Sequence, residues 1–117
     1  MGSRWYTLVV DATDPARLAR WWGEVLGYEL VYEASTYSVI GADKHARPGI
    51  CFVRVDDAKR VKNRLHIDLN PDDRDAEVER LVDMGARHVD IGQKEVPWVV
   101  LADPEGNEFC VLTAREH

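Results

Sequence analysis

The run Trp5-Tyr6-Thr7-Leu8-Val9-Val10 is rich in aromatic and β-branched residues, the composition of a strand. Asp14-Pro15 follows, an N-cap side chain with a proline at the first helical position, where the missing N–H costs nothing. Leu18, Ala19, Trp22, Val25 and Leu26 recur at helical spacing, which predicts a helix over 15–26 with one apolar stripe and Gly27 as its C-terminal stop. Three short apolar or alternating stretches come next, Tyr28 to Val31, Tyr37 to Ile40 and Ile50 to Val55, separated by polar segments with Gly and Pro. The first half reads β, α, β, β, β.

From Asp56 to Asn63 the chain is charged and aperiodic, the mark of a surface connection. The same order then restarts, with a strand over 64–69, a helix start at Asn70-Pro71-Asp72-Asp73, and a helix that turns Val78, Leu81 and Val82 inward before Gly85. Glu77, Glu79, Arg80 and Asp83 form its solvated side. Strands are predicted over 87–91, 96–102 and 108–113. Thr7 and His66, Asp14 and Asp73, and Cys51 and Cys110 are each 59 residues apart, while Gly27 and Gly85 are 58 apart. A constant offset across three different elements indicates a tandem duplication. Module one covers about 4–55, the connection 56–63 and module two about 64–114, within a single domain spanning 1–117.

Composition narrows the functional classes. At 117 residues, with 45% hydrophobic and 31% charged residues, the chain has the balance of a folded domain, and no segment approaches the roughly 20 apolar residues of a membrane span. The net charge is −6, and the basic residues are scattered apart from Lys59-Arg60, Lys62 and Arg64, which argues against nucleic acid as a partner. The opening residues lack a basic n-region and an h-region, so cytoplasmic localisation is the default expectation, and the two cysteines are expected as reduced thiols.

The stretch Trp98-Val99-Val100-Leu101-Ala102-Asp103-Pro104-Glu105-Gly106-Asn107-Glu108-Phe109-Cys110-Val111-Leu112 is a hairpin around a DPxGN turn, in which Pro presets φ and Gly and Asn tolerate φ > 0. With Leu26-Gly27-Tyr28 and the stretch Lys62-Asn63-Arg64-Leu65-His66-Ile67-Asp68-Leu69, it resembles the vicinal oxygen chelate superfamily of glyoxalases, extradiol dioxygenases and bleomycin-resistance proteins. The resemblance runs from Trp5 to Thr113. It implies an α+β fold of two tandem βαβββ modules forming a cupped, mixed or antiparallel sheet, a tendency to homodimerise, and a small-molecule ligand held between modules.

In metal-dependent members of that superfamily, His or Gln on the first strand and Glu on the last strand of each module ligate a divalent ion. The matching positions here are Thr7, Cys51, His66 and Cys110, of which His66 alone has the family's ligand type. A hard-oxygen site needs carboxylates that this set does not supply, so no metal cofactor is expected. A His/Cys/Cys set would suit zinc in softness, provided that the thiolates converge. His66 is the candidate acid/base, or a strand histidine hydrogen-bonded in the core, and Glu108 the candidate catalytic carboxylate, or a solvated residue beside the turn. Asp68 shares a strand face with His66, where it either orients the imidazole or hydrogen-bonds nearby backbone. Trp5 and Trp98 are candidates to stack on a planar ligand, with Thr7, Cys51 and Cys110 as further ligand contacts; the cysteines read equally as small apolar fillers. Trp22 reads as helix core. Three functional classes follow: a metal-free small-molecule binding protein, a lyase or isomerase acting on a small carbonyl or enolisable metabolite, and a non-catalytic assembly module.

Overall fold

The computed structural model describes residue 2 and residues 4–113. The chain divides into two compact units, the first ending at Ala58 and the second beginning at Lys59. The first unit contains β1 (Thr7–Ala12), α1 (Pro15–Leu26), β2 (Glu29–Glu33), β3 (Tyr37–Gly41) and β4 (Gly49–Arg54), and the second β5 (Asp68–Leu69), α2 (Arg74–Asp83), β6 (Arg87–His88), β7 (Val99–Ala102) and β8 (Glu108–Val111). Each unit is therefore βαβββ. Each also has its own four-stranded mixed sheet, ordered β1-β4-β3-β2 and β5-β8-β7-β6, with the outer pair β1·β4 or β5·β8 parallel and the others antiparallel.

The duplication extends to the hydrogen-bond register. Val9 lies opposite Cys51 and Val10 opposite Phe52, while 59 residues later Asp68 lies opposite Cys110 and Leu69 opposite Val111. The helix caps obey the same offset: the Asp14 carboxylate accepts from the Arg17 N–H at 3.2 Å and that of Asp73 from the Ala76 N–H at 3.1 Å. These bonds satisfy one of the unpaired N–H groups at each helix start. The middle strands do not keep the offset, since Val39 pairs with Cys51 and its counterpart Val100 with Cys110, 61 residues apart.

Alternation along the strands decides which side chains each sheet buries. In the first unit, α1 packs on the sheet with Leu18, Ala19, Trp21, Trp22 and Val25 all buried, facing a floor that includes Ile40, Ile50 and Phe52. Trp21 and Trp22 meet edge to face, with ring centroids 5.0 Å apart. Gly27 ends α1 at φ 67, the left-handed conformation in which glycine has no Cβ penalty. In the second unit Leu69, Leu81, Leu101, Phe109 and Val111 are buried, and α2 packs on β8.

Three expectations need correction. The first strand of module two is paired only over Asp68–Leu69 rather than 64–69, because Asn63 holds the approaching chain with its side chain. Its amide donates to the Glu108 carbonyl at 3.4 Å while its Oδ1 accepts from the Glu108 N–H at 3.0 Å, taking the place of ladder bonds. Helix α2 turns Leu81 inward but leaves Val82 38% exposed, beside Val78, His88 and Val99 in an open groove. The strands expected over 87–91 and 96–102 are trimmed to Arg87–His88 and Val99–Ala102, so Trp98 lies just outside the ladder.

The DPxGN turn owes its shape to a buried carboxylate. Asp103 is fully buried, and its Oδ1 accepts from the backbone N–H of Glu105 and of Asn107, while the Asn107 amide reaches both carboxylate oxygens at 3.0–3.2 Å. Gly106 takes the positive φ, at 89; Asn107 serves through its side chain instead.

Gly49 marks the tightest approach in the first sheet, since a Cβ there would lie 2.6 Å from the Ile40 carbonyl oxygen. Gly49→Ala is expected to destabilise the protein by about 1–3 kcal/mol through forced strand displacement, more than Asp14→Ala, which removes one cap at about 1 kcal/mol. Urea denaturation of the two variants checks the order.

Candidate functional site

Strand register fixes what each sheet presents on the face away from its helix. In the first unit one row runs Val9, Cys51, Val39, Tyr32 across β1, β4, β3 and β2, and the next runs Asp11, Val53, Tyr37. Thr7 stands two residues before Val9 and so belongs to the same face. Val9 is 55% exposed, Tyr32 47% and Tyr37 41%, and the two tyrosine rings stack with centroids 4.7 Å apart. This face is an open apolar and aromatic surface. Sequence reasoning missed it, although the alternation of Tyr37 and Val39 carried the signal.

In the second unit the matching row runs Asp68, Cys110, Val100 across β5, β8 and β7. His66, two residues before Asp68, projects to the same side and its Nδ1 lies 3.0 Å from Asp68 Oδ1. One ligand atom from each of His66, Asp68 and Cys110 lies within 4.8 Å of the others. Cys110 is buried, whereas the His66 and Asp68 side chains are 41% and 47% exposed. Burial pushes the Cys110 thiol pKa up, the charge of Asp68 and a hydrogen bond to its carboxylate raise it further, and Lys62 opposes them in part. The thiol is therefore protonated near neutral pH and donates to Asp68.

Glu108 lies on β8 two residues before Cys110, but its carboxylate is already engaged. Lys59 Nζ donates to Oε2 at 3.0 Å and the Asn63 backbone N–H donates to Oε1 at 3.1 Å. Burial alone would raise its pKa; the Lys59 hydrogen bond, the backbone N–H bonds and the Lys59 charge outweigh it and bring the pKa below the usual glutamate value. A stronger acid is a weaker proton acceptor. The expected surface connection thus includes two residues, Lys59 and Asn63, that fasten the second module.

The Thr7 hydroxyl donates to the Gly49 carbonyl at 3.2 Å, and Cys51 is half-buried with its thiol pKa raised by burial. Trp5 precedes β1 and is 69% exposed, and Trp98 precedes β7 and is 37% exposed. The two cysteines are free thiols.

A helix-backed βαβββ unit present twice, with candidate positions repeated on the strand faces away from the helices, defines a tandem-module α+β class. The pattern of the glyoxalase-like domain matches residues 7–112, and the chain belongs to that family, within the vicinal oxygen chelate superfamily. Among solved structures, a glyoxalase/bleomycin resistance protein/dioxygenase family enzyme from Burkholderia phytofirmans matches with a TM-score of 0.70 and 15% identity, over 93% of this chain and 97% of that one. Glyoxalase I of Leishmania major matches with a TM-score of 0.67 and 14% identity, over 96% and 87%. A fosfomycin resistance protein from Mesorhizobium loti matches with a TM-score of 0.65 and 20% identity, over 97% and 92%. At these identities the likeness establishes the fold alone. No curated protein matches the chain. Among the described residues no helix is long and apolar enough to cross a membrane.

The metal site implied by the family does not fit the residues present. Its four positions hold a hydroxyl engaged with a backbone carbonyl, a histidine and two protonated thiols, in place of histidines and carboxylates. Such a set does not supply the charge that a hard divalent ion requires.

Glu108 gives a pH-dependent test. Its folded pKa is lowered, so the stability it contributes is fully present above the unfolded glutamate value of roughly 4.3 and is lost as pH falls through the folded pKa. Glu108→Gln is expected to lower stability at neutral pH by on the order of 1–3 kcal/mol. The gap from wild type, followed by denaturation at stepped pH, should shrink as Glu108 becomes protonated below that value.

Proposed function

We propose that the protein binds a small molecule with an aromatic or extended apolar part, without the metal-assisted chemistry of a carboxylate-rich four-ligand site. The observation that carries this reading is the outer face of the first sheet, where Val9, Val39, Val53 and the stacked Tyr32 and Tyr37 leave apolar surface open. Contiguous apolar surface of this kind, bordered by polar residues such as Thr7 and Asp11, marks a binding face. Stacked tyrosines supply large contact area with few rotatable bonds to order. In this reading Thr7 and Cys51 are contacts on the rim and floor of that face.

A second reading is favoured by one specific feature. The bond between Asp68 and His66 Nδ1 fixes the imidazole and leaves Nε2 outside that bond, the arrangement by which a carboxylate orients a histidine acid/base. In this reading the protein is a lyase or isomerase acting on a small carbonyl or enolisable metabolite. His66 is the proton carrier, Asp68 positions it, and Glu108 anchors the strand.

Titration with anilinonaphthalene sulfonate, an amphipathic aromatic probe, separates the readings. Tyr32→Ala and Val9→Asp are each expected to weaken its binding about tenfold, equivalent to about 1.4 kcal/mol, while His66→Ala leaves it unchanged. Equal affinity in wild type and both sheet variants would remove the first sheet from the binding surface. An activity on a carbonyl substrate that His66→Ala abolishes would favour the enzyme.

A further inference from the structure

Beyond that reading, we infer that module two carries two complementary surfaces by which one copy of the chain docks on another: a basic, apolar segment at one edge of its sheet and an acidic, apolar groove at the other. The segment is Arg60-Val61-Lys62-Asn63-Arg64-Leu65. The groove runs along α2, where Val78, Val82 and Val99 form an apolar floor and Asp75, Glu79 and Asp83 an acidic rim, with His88 of β6 beside them.

Both surfaces are left uncovered within their own module. Val61 and Leu65 are each 77% exposed, and α2 buries Leu81 alone where α1 buries seven residues. Asp75, Glu79 and Asp83 recur one helical turn apart, and like charges at that spacing repel one another. Arg74 pairs with Asp75 at 2.9 Å and Arg80 with Glu77, but Glu79 and Asp83 have no cationic partner among the described residues. On the segment, Lys59 is paired with Glu108 and Lys62 donates to the Asn63 carbonyl. Arg60 and Arg64 are exposed and have no anionic partner among the described residues. Two guanidinium groups flanking apolar side chains thus match two carboxylates flanking an apolar floor, and guanidinium is the cation best shaped for carboxylate.

One chain cannot bring its own two surfaces together. Asn63 ties the segment to Glu108 at the start of β8, on the way into β5, whereas the groove is bounded by His88 of β6 and Val99 of β7. In the order β5-β8-β7-β6 these are opposite edges. The outermost strands are three spacings of about 4.8 Å apart. The segment of one copy therefore meets the groove of another. Such a contact joins two different patches, so it runs head to tail until rotation closes it into a ring. The net charge of −6 makes indiscriminate contact between copies repulsive, which favours the arrangement that sets Arg60 and Arg64 against Glu79 and Asp83. Burial of Val61 and Leu65 against Val78, Val82 and Val99 supplies the non-directional part. Val99 lies opposite Val111 and Val100 opposite Cys110, so the groove and the His66 cluster occupy opposite faces of the sheet.

Sedimentation velocity of the full chain tests the contact. Association that grows with concentration up to about 1 mM is expected, the range in which a contact of this small size is populated. The paired reversals Arg60→Glu with Arg64→Glu, and Glu79→Lys with Asp83→Lys, should each weaken it on the order of tenfold or more. An equimolar mixture of the two variants should regain it, as should one chain carrying all four substitutions, because each restores opposed charges. Hydrogen exchange of the unmutated protein gives a readout that does not depend on a variant's folding: amides in 59–66 and 74–83 should gain protection together as concentration rises. Absence of association over that range, an oligomer indifferent to both reversals, a mixture that stays dissociated, or protection of one segment without the other would overturn the contact. None of these outcomes bears on the apolar face of the first sheet, so this proposal and that one fail separately.

Discussion

The parallel pairing of the first and last strand of each module, Val9 opposite Cys51 and Asp68 opposite Cys110, is the constraint on which the rest depends. A parallel pair cannot be closed by a tight turn and needs a crossover, supplied here by the helix and the two middle strands. The helix covers one face of the sheet and buries the alternate residues Ile50 and Phe52, or Phe109 and Val111. The residues between them, Cys51 and Cys110, are turned to the opposite face. Core and candidate site are thus two consequences of one register, since a one-residue slip would exchange them.

The two modules carry different chemistry within that frame. Where the second has His66, Asp68 and Cys110, the first has Thr7, Val9 and Cys51 in the same row and register. Apolar Val9 in place of Asp68 leaves Cys51 without a carboxylate partner across the strand, and the Thr7 hydroxyl turns to a backbone carbonyl. The first sheet is left with an open surface of Val and Tyr, the second with a cluster of imidazole, carboxylate and thiol. Duplication has kept the backbone and let the side chains diverge, as expected when function resides in a few positions on a reusable scaffold.

Polar residues do much of the positioning. Asp103, fully buried, satisfies the turn between β7 and β8, so β8 begins at a defined point. Asn63 and Lys59 then fasten Glu108, at the start of β8, to the chain leading into β5. Among the described residues no buried side-chain nitrogen or oxygen lacks a hydrogen-bond partner, so these groups are held without a desolvation penalty left uncompensated. The consequence is direct: Glu108 is a fixed anchor in this arrangement.

The sequence by itself determined the repeated βαβββ order, the span of α1 and its two caps, and the pairing of Cys51 with Cys110 as equivalent positions. Each rests on local physics: helical periodicity, Asp and Pro at a helix start, Gly at its end, and a constant offset. Local signals could not tell that Asn63 would replace ladder bonds and shorten the first strand of module two, since that depends on Glu108, 45 residues away. Nor could they separate Glu108 as a base from Glu108 as an anchor, because its pKa is lowered by Lys59, 49 residues away in the chain but 3.0 Å away in space, and by the Asn63 N–H. Only the tertiary structure decided that His66, Asp68 and Cys110 converge and that Trp98 falls just outside the ladder. Alternation along a strand gives the face of a side chain, but strand register decides which side chains meet.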